Sequence, residues 1–240
     1  MTKHYKAIFF DAARTLIEPF PSAGHIYSEV AESYSVYAVP EKIGIAFKEE
    51  FSIRKQSFYK NNFKTSEEIE KNWWHDLVYA VFKRFDQDFV DRSHFEGFFN
   101  ELFNTFAEPK RWKLYDDVKP TLTELKKKGK ILGIVSNFDS RLLALYHGKG
   151  LNKYFDFVTI SAKIGVYKPG RGIFRNAIKK SGVHTNSILH IGDSLKDDGE
   201  GARNAGIDFR LLVRPSDDGA ITVSHDGVQT ISSLNDILEI

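Results

Sequence analysis

Apolar positions along the chain follow two rhythms, and the change between them divides it. Continuous apolar runs of strand length occur at Ala7 to Phe10, Ile131 to Val135, Phe157 to Ile160, Ile188 to Ile191 and Phe209 to Val213. Helix-like segments separate the later runs, which is the rhythm of a parallel sheet covered on both faces by helices. From Pro19 to about Arg111 that pattern is absent and aromatic residues recur at helical spacing. Ile26, Val30, Tyr34 and Tyr37 make one stripe, and Phe47, Phe51 and Phe58 the next. Trp74, Val78, Val81, Phe82 and Phe85 make a third, and Phe95, Phe98, Phe99, Leu102 and Phe106 a fourth. About four amphipathic helices are predicted there, with their aromatics as a bundle core.

The expected fold class is therefore α/β: a parallel sheet flanked by helices, formed by residues 1–18 and 112–240, with an inserted all-helical module over residues 19–111. A chain of 240 residues is long enough for one substantial core and a smaller satellite. The formal charge of +2 is small and the cations are scattered, so no nucleic-acid partner is expected. The densest basic run, Lys126-Lys127-Lys128-Gly129-Lys130, reads as the end of a helix, where cations oppose the dipole and Gly makes the exit turn. The chain has no cysteine, which excludes disulfides, thiolate metal sites and cysteine nucleophiles. No apolar stretch approaches the length of a membrane span and no cleavage signal follows the first one, so the expectation is a soluble, cytoplasmic protein without a membrane partner.

Three of the apolar runs end directly in polar residues: Asp11, Ser136-Asn137 and Gly192-Asp193. In open parallel sheets the ligand crevice lies beyond the carboxyl ends of the strands, so these groups are expected to converge. Asp11 has the layout of a nucleophilic aspartate. Two residues on, where an aspartyl-phosphate enzyme would want an acid to protonate its leaving group, stands Ala13.

These segments resemble the four motifs of the haloacid dehalogenase superfamily, in order and across essentially the whole chain. Phe10-Asp11-Ala12-Ala13-Arg14-Thr15-Leu16 resembles the first motif, Ser136-Asn137 the second, Lys168-Pro169 the third, and Gly192-Asp193-Ser194-Leu195-Lys196-Asp197-Asp198 the fourth. The helical insert after the first strand is similar to the cap of subfamily I members. Within that group the sequence is similar to a branch of hydrolase-domain proteins with an Asp-Ala-x-Gly-Thr-Leu first motif. The resemblance implies a Rossmann-like core and a Mg²⁺-dependent phosphatase acting on a small phosphorylated molecule. Asp11 would take the phosphoryl group, and Asp11 with Asp193 supplies the carboxylate pair that Mg²⁺ favours. The resemblance further implies that the Ala13 carbonyl is a metal ligand and that Lys168 neutralises nucleophile and phosphate. Asp198 completes the metal group as support for Asp193. Ser136, Asn137, Thr15, Arg14 and Lys168 are the candidate phosphate-binding residues, and Asp197 reads as a solvated acid at a helix start. An EF-hand is excluded, because numbering from Asp193 puts Leu195 at the third ligand position and Asn204 at the twelfth.

Two positions depart from the family pattern. Ala13 removes a general acid that is typically worth about 10²–10⁴ in rate. Arg14 stands where the family has Gly, and its long cation would either bind an anionic substrate or plug the pocket, with a backbone cost if the position needs a positive φ. His4, His25, His75 and His94 are not placed to replace the missing acid. Two alternatives stay open: a 2-haloacid dehalogenase, whose leaving halide needs no proton, and a catalytically impaired protein that binds through the same fold. Substrate choice would rest on cap residues, for which Arg54, Tyr59 and Trp73 are candidates. No pattern in the sequence specifies an oligomeric state.

Overall fold

In the computed structural model, which describes residues 4–91, 93–214 and 227–239, the chain opens with β1 (Ala7–Phe10) and β2 (Ile17–Pro19). Five helices follow: α1 (Ala23–Glu32), α2 (Pro40–Lys60), α3 (Glu67–Lys83), the single turn α4 (Gln87–Val90) and α5 (Phe95–Thr105). The chain then forms β3 (Trp112–Leu114), α6 (Val118–Lys127), β4 (Ile131–Ser136), α7 (Arg141–Gly148), β5 (Phe157–Ile160), α8 (Ser161–Ile164), α9 (Arg171–Ser181) and β6 (Ile188–Gly192). A π-helical turn over Leu195–Glu200 leads into α10 (Gly201–Ala205), β7 (Asp208–Leu212) and β8 (Thr230–Ile231).

The main sheet has the order β5-β4-β1-β6-β7-β8, parallel throughout. Every residue of β1 is buried, as the centre of a sheet covered on both faces requires. Alternate residues feed two cores. Ile8 and Phe10 join Leu132, Ile134, Leu189 and Ile191 under α6 and α7, while Ala7 and Phe9 join Val135, Ile173, Phe174 and Ala177 on the α9 side. The basic run closes a helix as the sequence implies: α6 ends over Lys126 and Lys127, and Gly129 takes φ +70°. No helix among the described residues is long and apolar enough to cross a membrane.

The helices between β2 and β3 bury their own apolar cluster, separate from the two that flank the sheet. Phe82 of α3 packs against Tyr27, Phe89 and Phe98, with ring centroids 6.2, 6.1 and 4.7 Å away. Ser22 and Ser66 cap α1 and α3 by accepting from the backbone N–H groups of His25 and Ile69, and Pro40 opens α2 where its missing N–H costs nothing. The predicted stripes run past the ends of their helices, at Tyr34, Tyr37, Phe85 and Phe106. Tyr37 is 78% exposed, because α1 stops at Glu32 and Ser35 at φ +61° turns the chain away. Phe85 lies beyond the end of α3, although its ring still meets Phe82 at 6.4 Å.

The sequence pattern also misses β2 and β3, which pair antiparallel with Ile17 opposite Leu114 and Pro19 opposite Trp112. At three residues each they are too short to show a period. They run the entry to the helical insert and the exit from it side by side.

Candidate active site

Register brings the site together. Phe10 lies opposite both Ile134 and Ile191, so Ser136 at the last position of β4, and Asp11 and Asp193 just past β1 and β6, meet at the carboxyl ends of three adjacent parallel strands. Asp11 is 7% exposed. Its Oδ1 accepts from Ser136 Oγ at 3.0 Å and from Lys168 Nζ at 2.7 Å. Its Oδ2 makes no hydrogen bond among the described residues.

Lys168, 1% exposed, contacts three acceptors: Asp11 Oδ1, Asp198 Oδ1 at 2.6 Å and the Val135 carbonyl at 3.0 Å. Burial pulls its pKa down, but the charges of Asp11 and Asp198 outweigh this and hold it above the ordinary lysine value. Its backbone is clamped by Asn137, whose Oδ1 accepts from Lys168 N–H at 2.6 Å and whose Nδ2 donates to the Lys168 carbonyl at 3.2 Å. The Asn137 amide, expected on a phosphoryl oxygen, therefore braces the lysine.

Asp198 is almost fully enclosed. Its Oδ1 accepts from Lys168 and lies 2.8 Å from His190 Nε2, and its Oδ2 accepts from Ser194 N–H at 3.1 Å. Burial opposes its ionisation, yet Lys168 and His190 keep its carboxyl well below the usual range. Space for it depends on Gly192: a Cβ there would lie 2.2 Å from the Asp198 carboxyl carbon. Burial pushes Asp11 the other way, upward, with the like charge of Asp198 adding to it while Lys168 and Ser136 pull it down. Burial, then the charges of Asp11 and Asp198, raise Asp193 to about 7.

Asp193 pairs with Arg14, whose Nε lies 3.0 Å from its Oδ2 while the arginine side chain is 78% exposed. Arg14 takes φ +63°, the left-handed conformation that Gly would adopt without strain. Thr15 is fully buried, its Oγ1 has no hydrogen-bond partner among the described residues, and its carbonyl accepts from Arg214 at 2.8 Å. The structure does not join the Thr15 hydroxyl to the other candidates by a hydrogen bond.

Asp197 is not a solvated helix-start acid. It is 5% exposed and binds two residues of α2: Tyr59 Oη donates to it at 2.6 Å and Lys55 Nζ lies 2.5 Å away. Opposite charge brought from a segment far away in sequence replaces the water that the local pattern suggested. Of the three guessed specificity residues, Tyr59 thus reaches the fourth motif. Arg54 instead pairs with Glu50, and Trp73 donates to the Arg54 carbonyl at 3.2 Å. His25 meets Ser22, His75 meets Glu96, and His94 precedes α5, so none of them joins the site. His4 is exposed. The residue the sequence reading missed is His190. Its signal was a polar residue inside an otherwise apolar buried strand.

Asp11, Asp193 and Asp198 each offer a carboxylate oxygen, and these lie within 4.8 Å of one another. In the first-motif loop the Ala12 carbonyl accepts from the N–H groups of Thr15, Leu16 and Ile17, whereas the Ala13 carbonyl has no donor among the described residues. Clustered carboxylates and a spare backbone carbonyl are both hard oxygen donors of the kind Mg²⁺ takes.

The sequence model of haloacid dehalogenase-like hydrolases matches residues 5–206. The chain belongs to this hydrolase family. It is 30% identical over 235 residues to haloacid dehalogenase-like hydrolase domain-containing protein 3 of Bos taurus, covering 97% of this chain and 92% of that protein. It is 34% identical over 104 residues to a phosphoserine phosphatase of Thermus thermophilus, covering 42% of this chain and 41% of that one. Its fold is similar to that of the HAD-hydrolase YfnB from Bacillus subtilis, with a TM-score of 0.76 at 18% identity over 99% of this chain and 98% of the other.

Proposed function

We propose that this hydrolase is a Mg²⁺-dependent phosphatase that takes the phosphoryl group of a small phosphorylated molecule onto Asp11 and passes it to water. The observation that carries the reading is the state of Asp11: one oxygen is fixed by Ser136 and Lys168, and the other makes no hydrogen bond among the described residues, which leaves it free to act as the nucleophile. The partial identity to a phosphoserine phosphatase supports the same class of substrate.

Attack of Oδ2 on phosphorus forms an aspartyl O–P bond and breaks the ester P–O bond, whose electrons leave with the substrate oxygen. Water then attacks phosphorus, the aspartyl O–P bond breaks, and inorganic phosphate departs with Asp11 restored. Lys168 stays beside the reacting carboxylate as a fixed positive charge, held in place by Asn137, Asp198 and the Val135 carbonyl. Asp11, Asp193 and the Ala13 carbonyl, with Asp198 behind them, would hold Mg²⁺, which when bound offsets the repulsion between carboxylate and phosphate and draws charge from the phosphoryl oxygens. The helical insert serves as the cap, since Lys55 and Tyr59 of α2 reach the fourth motif.

Ala13 supplies no proton to the departing oxygen, so substrates with acidic leaving groups should turn over best. With Mg²⁺ present, an aryl phosphate is expected to be hydrolysed far faster than an alkyl phosphate, and Asp11→Asn should abolish both. Ala13→Asp should raise alkyl phosphate turnover by about 10²–10⁴. A second reading, a binding protein with an impaired site, is favoured by the Arg14–Asp193 ion pair. It would be established by an inert wild type in which only the Ala13→Asp, Arg14→Gly double substitution hydrolyses esters.

A further inference from the structure

We infer that Arg14 is a built-in competitor of the metal: its guanidinium holds the Asp193 carboxylate and thereby sets how weakly this site binds Mg²⁺. The inference rests on Asp11 and Asp193 being the metal ligands. Among the described residues Arg14 is the sole cation within salt-bridge distance of Asp193, at 3.0 Å. The buried cation of the site, Lys168, is already shared between Asp11 and Asp198. A divalent ion bound by Asp193 must therefore either displace the guanidinium or sit beside it against charge repulsion.

The contact is not what the backbone would choose unaided. At φ +63° a side chain is disfavoured where glycine is not, yet the chain carries its longest cation there and directs it onto a metal-site carboxylate. The Arg14 side chain is 78% exposed, so it can leave Asp193 for water without opening the core. An ion pair so exposed to solvent is weak and screened by salt, and the expected effect is a moderate weakening of metal binding.

The test is Mg²⁺ titration by calorimetry on the wild type, Arg14→Gln and Arg14→Lys at low ionic strength. Glutamine keeps a long unbranched side chain and the same backbone demand while losing the charge. The Arg14→Gln variant is expected to bind Mg²⁺ about two- to fivefold more tightly than wild type, the size that solvent-exposed ion pairs carry. Arg14→Lys should stay near wild type. The gap between wild type and Arg14→Gln should shrink as NaCl is raised toward 1 M, where the Debye length falls to about 3 Å. Melting curves give a readout independent of turnover: Mg²⁺ should raise the Tm of Arg14→Gln more than that of wild type. Equal or weaker Mg²⁺ binding by Arg14→Gln overturns the inference and leaves the metal site standing. Absence of Mg²⁺ binding by both proteins overturns the inference and the proposed metal site together.

Discussion

The Glu70 carboxylate shows how one buried residue writes a pH dependence into the molecule. It is 3% exposed, and its Oε1 accepts from Thr65 Oγ1 at 2.9 Å and from Ser161 Oγ at 3.0 Å. Burial raises its pKa to about 7, with the two hydroxyls and Arg141 pulling down and Asp139 pushing up. In the unfolded chain the group titrates near 4.5. Between those values the folded protein binds more protons than the unfolded one, so Glu70 lowers stability as pH rises through that window and its full cost is present above it. Glu70→Gln keeps an oxygen for both hydroxyls and removes the charge. Its Tm should match wild type near pH 4.5 and exceed it at pH 8, by on the order of 1–3 kcal/mol in stability. Parallel melting curves for the two proteins across that range would show that Glu70 ionises without cost. No local pattern marks Glu70 as buried; its place follows from Ser161, which lies 91 residues away.

Among the elements, the helical insert owes its shape to aromatic packing that the sequence largely displays. Phe82 on α3 reaches Tyr27 of α1, Phe89 of α4 and Phe98 of α5, so a single ring joins four helices. Phe82→Ala should destabilise the protein by about 3–5 kcal/mol, the usual cost of a large cavity in a close-packed core. Urea unfolding measures this, and a loss under about 1 kcal/mol would mean that the helices repack around the gap. The stripes are legible because a helix buries one face at a fixed period. Tyr37 fails to follow its stripe because a stripe does not record where a helix stops. The β2–β3 ribbon was equally hidden, since it pairs two segments that lie on either side of the whole helical insert in the sequence.

At the scale of the whole molecule, insert and sheet are joined by chemistry concentrated around the site. Phe58 of α2 stacks on Tyr167 at 4.3 Å, Glu70 of α3 meets Ser161, and Lys55 and Tyr59 converge on Asp197. Asp197→Ala removes both polar contacts from α2 to the fourth motif at once. Hydrogen exchange should then rise over the second half of α2 and over Leu195–Glu200, while the Phe82 cluster keeps its protection. Unchanged exchange in those two segments would show that the remaining contacts, among them the Phe58–Tyr167 stack and the Glu70–Ser161 bond, hold the insert in place without Asp197.

The sequence by itself determined the parallel sheet, the helical insert and the strand-end positions of Asp11, Ser136 and Asp193. Each of these follows from a local cause: a period, a strand that ends, or a polar residue just beyond it. The tertiary structure alone decided how the charges are shared. Lys168 meets Asp11 across 157 residues and Tyr59 meets Asp197 across 138, and Arg14 turns to Asp193 from a different strand end. A buried charge is stabilised by whichever opposite charge the fold brings within about 4 Å, and separation along the chain carries no information about that distance.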